Sequence, residues 1–335
     1  MKYVGFFLAG ICPVLLSVCS CVTDGGNAAR LILGVSEPPV FLSAKAVSET
    51  EVQFAFSKPV TLAALYFSPQ IETEEIKSGS TVRVSFSGGL APGERITADL
   101  LAVDENGNTI NVLVPFRARN DRVPPLRITE LRTDYSRPRA EFIEFRTFGA
   151  GNLGALRVFV ASNTRSPLVY EFPSIEVPGG EYITLHLRQM EEANRDELGT
   201  NLAESGGTDS SPTARDLWVP GTSKLLRRTD IVYVLDQDDR VVDAVLLSES
   251  ADPVWGRSHF ADAAEFLFLA GAWKSADGLS IRPSDAVQTT GTTATRTINR
   301  DESLAENSRS AADWYITVTS GATPGRPNNP RRHGN

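Results

Sequence analysis

Glu51-Val52-Gln53-Phe54-Ala55-Phe56-Ser57 and Thr81-Val82-Arg83-Val84-Ser85-Phe86-Ser87 decide the fold class of this chain. In both stretches an apolar side chain falls at every second residue, the period of an antiparallel strand with one buried and one wet face. Turn chemistry punctuates the runs at Ser57-Lys58-Pro59, Ser87-Gly88-Gly89 and Ala91-Pro92-Gly93. Two more strands, Arg95–Val103 and Thr109–Phe116, are joined by Asp104-Glu105-Asn106-Gly107-Asn108. Asn-Gly between apolar runs marks a hairpin, because both residues tolerate positive φ. Short strands at regular spacing predict a β-sandwich over residues 31–119.

The strand pattern resumes after a linker at residues 120–125, Asn120–Pro125 (NDRVPP), whose two prolines force extended backbone. Leu126–Arg132 and Glu141–Thr147 read as strands, and Gly151–Ala161 and Leu168–Phe172 follow. Val177–Leu187 sets Pro-Gly-Gly before a strong strand, and Ile231–Leu247 reads as a hairpin turning at Gln237-Asp238-Asp239-Arg240. Two insertions, residues 188–224 and 248–295, interrupt the series. The first is rich in Gly, Ser, Asp and Glu and is expected to be a mobile loop. The second holds Phe260–Trp273, expected to form a short helix over one sandwich edge.

Pro39-Val40-Phe41, Glu51–Val60 (EVQFAFSKPV) and the Asp104–Asn108 turn resemble a bacterial Ig-like domain of the kind found in surface-layer and adhesin-type proteins. The second half resembles the lamin tail domain, an Ig-like sandwich also present in bacterial secreted and membrane-attached proteins. The matching pieces are Ile128-Thr129-Glu130-Leu131, Glu141-Phe142-Ile143-Glu144-Phe145, Val241–Val245, Ala312-Asp313-Trp314 and Thr323-Pro324-Gly325 with Asn328. Thr147 stands where that family usually has asparagine, and Leu156 or a neighbour where a tryptophan is common. The two resemblances imply an all-β fold of two Ig-like β-sandwiches in tandem, over residues 31–119 and 126–328, with a polar tail at 329–335.

At the amino terminus, Lys2 precedes a mostly apolar Val4–Leu16, and Val18-Cys19-Ser20-Cys21 resembles a lipobox. The stretch reads as a bacterial lipoprotein signal peptide over residues 1–20, cut before Cys21, whose thiol would then be fatty-acylated. It is too short, and too broken by Pro13, for a membrane-spanning helix of about 20 apolar residues. Residues 21–30 are small and polar, a flexible tether. The expectation is a chain held in the cell envelope by Cys21, on the periplasmic side or at the cell surface, with the membrane as its first partner.

The chain has 335 residues and a formal net charge of −8, which does not steer it toward nucleic acid. Its basic runs, Leu226-Arg227-Arg228 and Arg331-Arg332-His333, read as solvated ends. The three cysteines are Cys12, Cys19 and Cys21, so a processed and acylated chain has no thiol for a disulfide, a metal or a nucleophile.

Candidates for chemistry are few. Of the histidines, His186 sits in an alternating strand, His259 in a loop and His333 in the tail, with no metal spacing among them. Asp236, Asp238, Asp239 and Asp243 read as a tight turn in which aspartates bond their own backbone, not as a calcium loop. Glu130, Glu141 and Glu144 are the candidate carboxylate pair for acid–base work, but the odd spacing puts Glu141 and Glu144 on opposite strand faces. No G-x-S-x-G elbow, phosphate loop or dinucleotide fingerprint occurs. Trp314 reads as core, whereas Trp218 and Trp255 fall in the insertions, where an exposed ring suits a protein or glycan partner. The expected function is adhesion, scaffolding or binding without catalysis, cofactor or metal, with Trp218, Trp255 and His259 as candidate partner-binding residues. The alternatives are an accessory module of a secreted nuclease or hydrolase system and a glycan-binding lipoprotein.

Overall fold

A computed structural model of the chain describes residues 37–304 and 307–334. The leader, Cys21 and the tether lie outside the described residues. Among the described residues the fold is all-β with one α-helix, and its strands surround two separate hydrophobic clusters.

The first cluster is built by β1 (Phe41–Ser48), β2 (Glu51–Ser68), β3 (Thr73–Lys77), β4 (Gly79–Phe86), β5 (Arg95–Val103) and β6 (Thr109–Arg117). The 18-residue β2 serves both sides of it. Through Ala55 it pairs with β1 and β4, and from Thr61 it pairs with β5, which pairs in turn with β6. The register slips between Ala55 and Val60, across Lys58-Pro59, where proline brings no ladder donor. Alternation then does what the sequence predicts: Val52, Phe54 and Phe56 are buried with Val82, Val84 and Phe86. Phe67 meets Phe86 and Phe116 edge-on at 5.3 and 6.1 Å, a geometry that aligns ring edges with ring faces. In the β5–β6 hairpin Asp104 Oδ1 accepts the N–H groups of Asn106 and Asn108, both at 2.9 Å, and Gly107 takes φ +78°.

The second cluster lies between two sheets. The first consists of β7 (Leu126–Arg132), β8 (Phe142–Thr147), β13 (Tyr182–His186), β14 (Arg215–Trp218), β18 (Ile298–Arg300) and β19 (Trp314–Ile316), in the order β14-β13-β8-β7-β18-β19. The second, ordered β11-β10-β15-β16-β17, consists of β10 (Arg157–Val160), β11 (Leu168–Glu171), β15 (Asp230–Leu235), β16 (Val241–Ser248) and β17 (Val287–Gln288). A short ladder joins β9 (Gly151–Asn152) to β12 (Glu176–Val177). Ile128, Ile143, Phe145 and Ile183 of one sheet share a core with Val158, Val232, Val234 and Val245 of the other. Helix α1 (Ser258–Leu269) buries Phe260, Ala263, Ala264 and Leu267, and Phe266 meets Tyr233 of β15 at 5.7 Å. It falls at the predicted place in the second insertion.

The first insertion overturns the expectation of a mobile loop. It supplies β14, which adds to β13 in parallel, from Ile183 opposite Arg215 to His186 opposite Trp218. Its polar side chains hold its own backbone. Glu197 accepts the N–H groups of Glu204, Ser205 and Asp216, and Asn194 Oδ1 accepts those of Met190 and Glu191. A composition that reads as solvated is here used to satisfy donors internally.

The two halves meet across a polar, closely fitted seam. Asn120, in the predicted linker, is buried and donates to the carbonyls of Asn152 and Gly154 at 2.8 and 2.7 Å. Arg119 binds both oxygens of Asp238, and Arg122 bridges Glu49 to Glu176. Backbone packs directly on backbone: a Cβ on Gly154 would lie 1.9 Å from the Pro92 carbonyl oxygen, and one on Gly93 would lie 2.4 Å from Ala155 N. Gly154→Ala is therefore expected to push the halves apart and destabilise the chain by about 1–3 kcal/mol. A lowered thermal midpoint, with new protease cutting within residues 118–125, is the readout. An unchanged midpoint would show that the seam yields freely.

Candidate functional site

The carboxylates proposed for acid–base work are brought together in an unexpected pairing. Glu130 of β7 lies opposite Glu144 of β8, while Glu141 precedes β8 and holds Arg188 through two bonds of 2.6 and 2.7 Å. Glu130 and Glu144 belong to a row that crosses the whole sheet in register, from Asp216 through Thr184, Glu144, Glu130 and Asn299 to Tyr315. Glu130 and Glu144 are wholly buried. The carboxyl-terminal Thr323–Gly325 segment closes over them: Thr323 donates its N–H and hydroxyl to Glu130, and Gly325 donates its N–H to Glu144 at 2.6 Å. Thr297 also donates to Glu130, and Thr129 to Glu144. Burial pushes the Glu130 carboxyl up to about 7, against the pull of Thr297 and Thr323. Burial, then the charge of Glu130, pushes Glu144 well above the usual carboxylate range. The pair is sealed by its own donors and is not exposed to a substrate, so its geometry serves the fold.

Trp218 is corrected as a partner-binding candidate. It lies in β14, only 4% exposed, stacked on His186 at 3.8 Å with the rings 11° from parallel. His186 Nε2 lies 2.7 Å from Asp216 Oδ1, and the Trp218 indole N–H donates to Ser205 Oγ. Within the insertion expected to be a mobile loop, residues 215–218 form a strand, and this buries the ring. The aspartates near the β15–β16 turn are also engaged. Asp236 accepts the N–H groups of Asp238 and Arg240, Asp238 binds Arg119, Asp239 binds Arg157, and Asp243 binds Arg300 and the Ile128 N–H. Among the described residues no group of three or more His, Cys, Asp or Glu is placed to hold a metal ion.

Trp255 and His259, in contrast, line one cleft of about 720 Å³. Its walls are the segment before β15, the loop from β16 to the start of α1, and single residues of two other loops, Asp134 and Ser162. Each wall is anchored from beneath. The buried Asp230 accepts both the N–H and hydroxyl of Ser162 and the N–H of Arg227, and burial raises its carboxyl to about 6 despite these donors. The Trp255 indole N–H donates to the Ile281 carbonyl at 2.9 Å, which fixes the ring plane. Phe260 supports both rings, 5.8 Å from Trp255 and 4.3 Å from His259. Arg228 pairs with Asp134 at 2.9 Å and faces Glu249 at 3.7 Å. Burial raises Asp134, but the Arg228 guanidinium and two threonine hydroxyls outweigh it and hold the carboxyl low. Lys224, Arg227 and Arg257 also line the cleft and have no ion pair among the described residues. Sequence reading set Arg227 and Arg228 aside as a solvated run. Arg228 is held in the wall by Asp134, 94 residues away along the chain, which no local signal reports.

Residues 124–316 match the family described as TP_1001_2nd, protein second domain, and this span contains the whole cleft. An uncharacterized protein of Treponema pallidum (strain Nichols) is 27% identical over 245 residues, covering 70% of this chain and 61% of that protein. The chain thus spans about three-fifths of the length of the relative it matches. Among solved structures, a DUF4876 family protein from Bacteroides thetaiotaomicron VPI-5482 aligns with a TM-score of 0.29 at 11% identity, over 85% of this chain and 93% of that one. The N-terminal part of the bacterial S-layer protein SbsC aligns with a TM-score of 0.26 at 13% identity, over 67% of this chain and 47% of that one. Both scores are below those of proteins that share a whole fold.

The glutamate pair sets a pH dependence of stability. Both carboxyls titrate higher in the folded than in the unfolded chain, so the folded chain binds more protons between the ordinary carboxylate range and about 7. The stability this contributes is complete below the unfolded value and lost as pH rises through about 7; Asp230 acts in the same direction up to about 6. The chain is expected to melt higher near pH 5 than near pH 8, with roughly 3 kcal/mol of the difference from Glu130 and a further contribution of the same sign from Glu144. Glu144→Gln, which keeps an acceptor for Gly325 and removes one charge, should flatten that dependence. Melting curves of the two proteins across pH that run parallel would refute it.

Proposed function

We infer a binding role from a premise the sequence match establishes: the chain belongs, through residues 124–316, to the TP_1001_2nd protein second-domain family. The proposed protein is a lipid-anchored envelope protein. Its processed amino terminus carries fatty acids on Cys21, its first half is an Ig-like sandwich and its second half a lamin-tail-like one. It binds a partner through loops and carries out no bond-breaking step. The observation that supports this reading is the cleft itself. Trp255, on a loop held by Ile281, and His259, in the first turn of α1 and not in the expected loop, share a cavity with cations that have no ion pair among the described residues. Binding residues on loops, positioned by a rigid scaffold, are the usual arrangement for recognition. The acidic charge of the chain as a whole disfavours nucleic acid as the partner.

Anchoring and recognition are tested separately. The natural protein is expected to partition into detergent and incorporate labelled fatty acid, and Cys21→Ala to lose both, because one acyl attachment site supplies all of the membrane affinity. Full-length protein on beads should capture a reproducible envelope component, and Trp255→Ala should reduce capture about tenfold or more, the usual loss for a central aromatic anchor. Equal capture by Trp255→Ala would remove the cleft from the function. Metal-dependent hydrolase activity in the full chain would remove the non-catalytic reading.

A further inference from the structure

The geometry of the same cleft points to a ligand class, and we propose that it takes an acidic saccharide: a sugar ring carrying a carboxylate or phosphate. This rests on the binding role proposed above. A cavity of about 720 Å³ is in the range that encloses a small molecule or a few sugar rings, not a folded domain. Its charge runs against that of the chain. The formal net charge is −8, yet Lys224, Arg227 and Arg257 line this one cavity without a carboxylate partner among the described residues. Arg228, the fourth cation, is already occupied by Asp134 and Glu249. The lining holds four cations against three carboxylates, Asp134, Glu249 and Asp252, a net formal charge of +1; the excess and the three cations without an ion pair favour an anion, and guanidinium groups bind carboxylate and phosphate through paired donors.

A bare anion leaves the rest of the lining unused. Trp255 is half-buried, and its N–H is taken by the Ile281 carbonyl. The ring can therefore offer a ligand its face and not its donor. A flat apolar face beside polar groups fits a sugar ring, which has apolar C–H faces and a hydroxyl rim. Val254, 71% exposed, extends the apolar strip next to it. Glu249 and Asp252 supply acceptors for ring hydroxyls, and Thr229 and Ser250 are at the same rim. A purely apolar ligand would leave the cations and carboxylates desolvated without partners. Cations for the acid group, acceptors for the hydroxyls and an aromatic face for the ring therefore define one ligand chemistry.

The test is calorimetric titration of the full chain with trigalacturonic acid, with its neutral methyl ester, and with glucose 6-phosphate, which separate carboxylate from phosphate as the source of charge. Saturable binding of an acidic sugar is expected, weakening with added salt. The neutral ester should bind about tenfold more weakly or less, the loss of one charge-assisted contact. Arg257→Gln, on an exposed side chain whose loss leaves the fold intact, should weaken binding by a similar factor, and Trp255→Ala should abolish it. Trp255→Phe should retain much of it, which separates loss of stacking from loss of folding. Binding of the ester as tightly as the acid, binding indifferent to Trp255→Ala and Arg257→Gln, or no saturable binding of either acidic sugar in the millimolar range would each overturn the proposal. If envelope capture still depends on Trp255 in that last case, the binding role stands and only the saccharide assignment fails.

Discussion

The second half of the molecule is organised by the need to bury the polar outer face of its six-stranded sheet. One face of that sheet packs on the hydrophobic core, and the other carries the row from Asp216 through Thr184, Glu144, Glu130 and Asn299 to Tyr315. A sandwich would leave such a face in water. Here both faces are covered, so each carboxylate must find donors or keep a proton. Glu197 and Asp216 gather N–H groups of the first insertion, and Glu130 and Glu144 gather those of the closing segment. The insertion, held by its own acids, and the carboxyl-terminal segment, held by Glu130 and Glu144 on the strands beneath, are thus parts of the sheet's packing.

The strands that alternate or turn at Asn-Gly and Gln-Asp-Asp-Arg were legible because their determinants are local. Period-two burial in β2 and β4, the Asp104 turn and the β15–β16 hairpin follow from neighbours a few residues apart. The covered outer face was not legible. β14 is four residues long and is held by hydrogen bonds to a parallel neighbour 32 positions earlier, and its sequence, Arg-Asp-Leu-Trp, carries no alternating pattern. For the same reason sequence alone left Trp218 open between burial and an exposed binding ring. Glu130 and Glu144 could not be paired from spacing, since strands β7 and β8 are offset by a register slip between Ile128 and Glu130. Of the candidate binding residues, Trp255 and His259 fall together because only three residues, Gly256 to Ser258, separate them, a distance that local reading can judge. The cations around them come from another segment and needed the fold.

The seam and the cleft use opposite strategies. At the seam, glycines let backbone approach backbone, and arginines bind carboxylates in pairs that cross from one half to the other. Exposed pairs of this kind add little by themselves, so close fit and the buried Asn120 carry the joint. At the cleft the side chains are large, three of the four cations have no ion pair among the described residues, and the walls are held from beneath, which leaves an open surface on a firm base.

The closing Thr323–Gly325 segment has a consequence for the order in which the chain can mature. Glu130 and Glu144 leave the ribosome well before the groups that cover them, which follow 193 and 181 residues later. Until those emerge, the two acids face water, and the sheet lacks its lid. The sheet therefore gains its lid only from donors that lie 193 and 181 residues beyond the acids they cover, so this layer of the packing depends on contacts between distant parts of the chain.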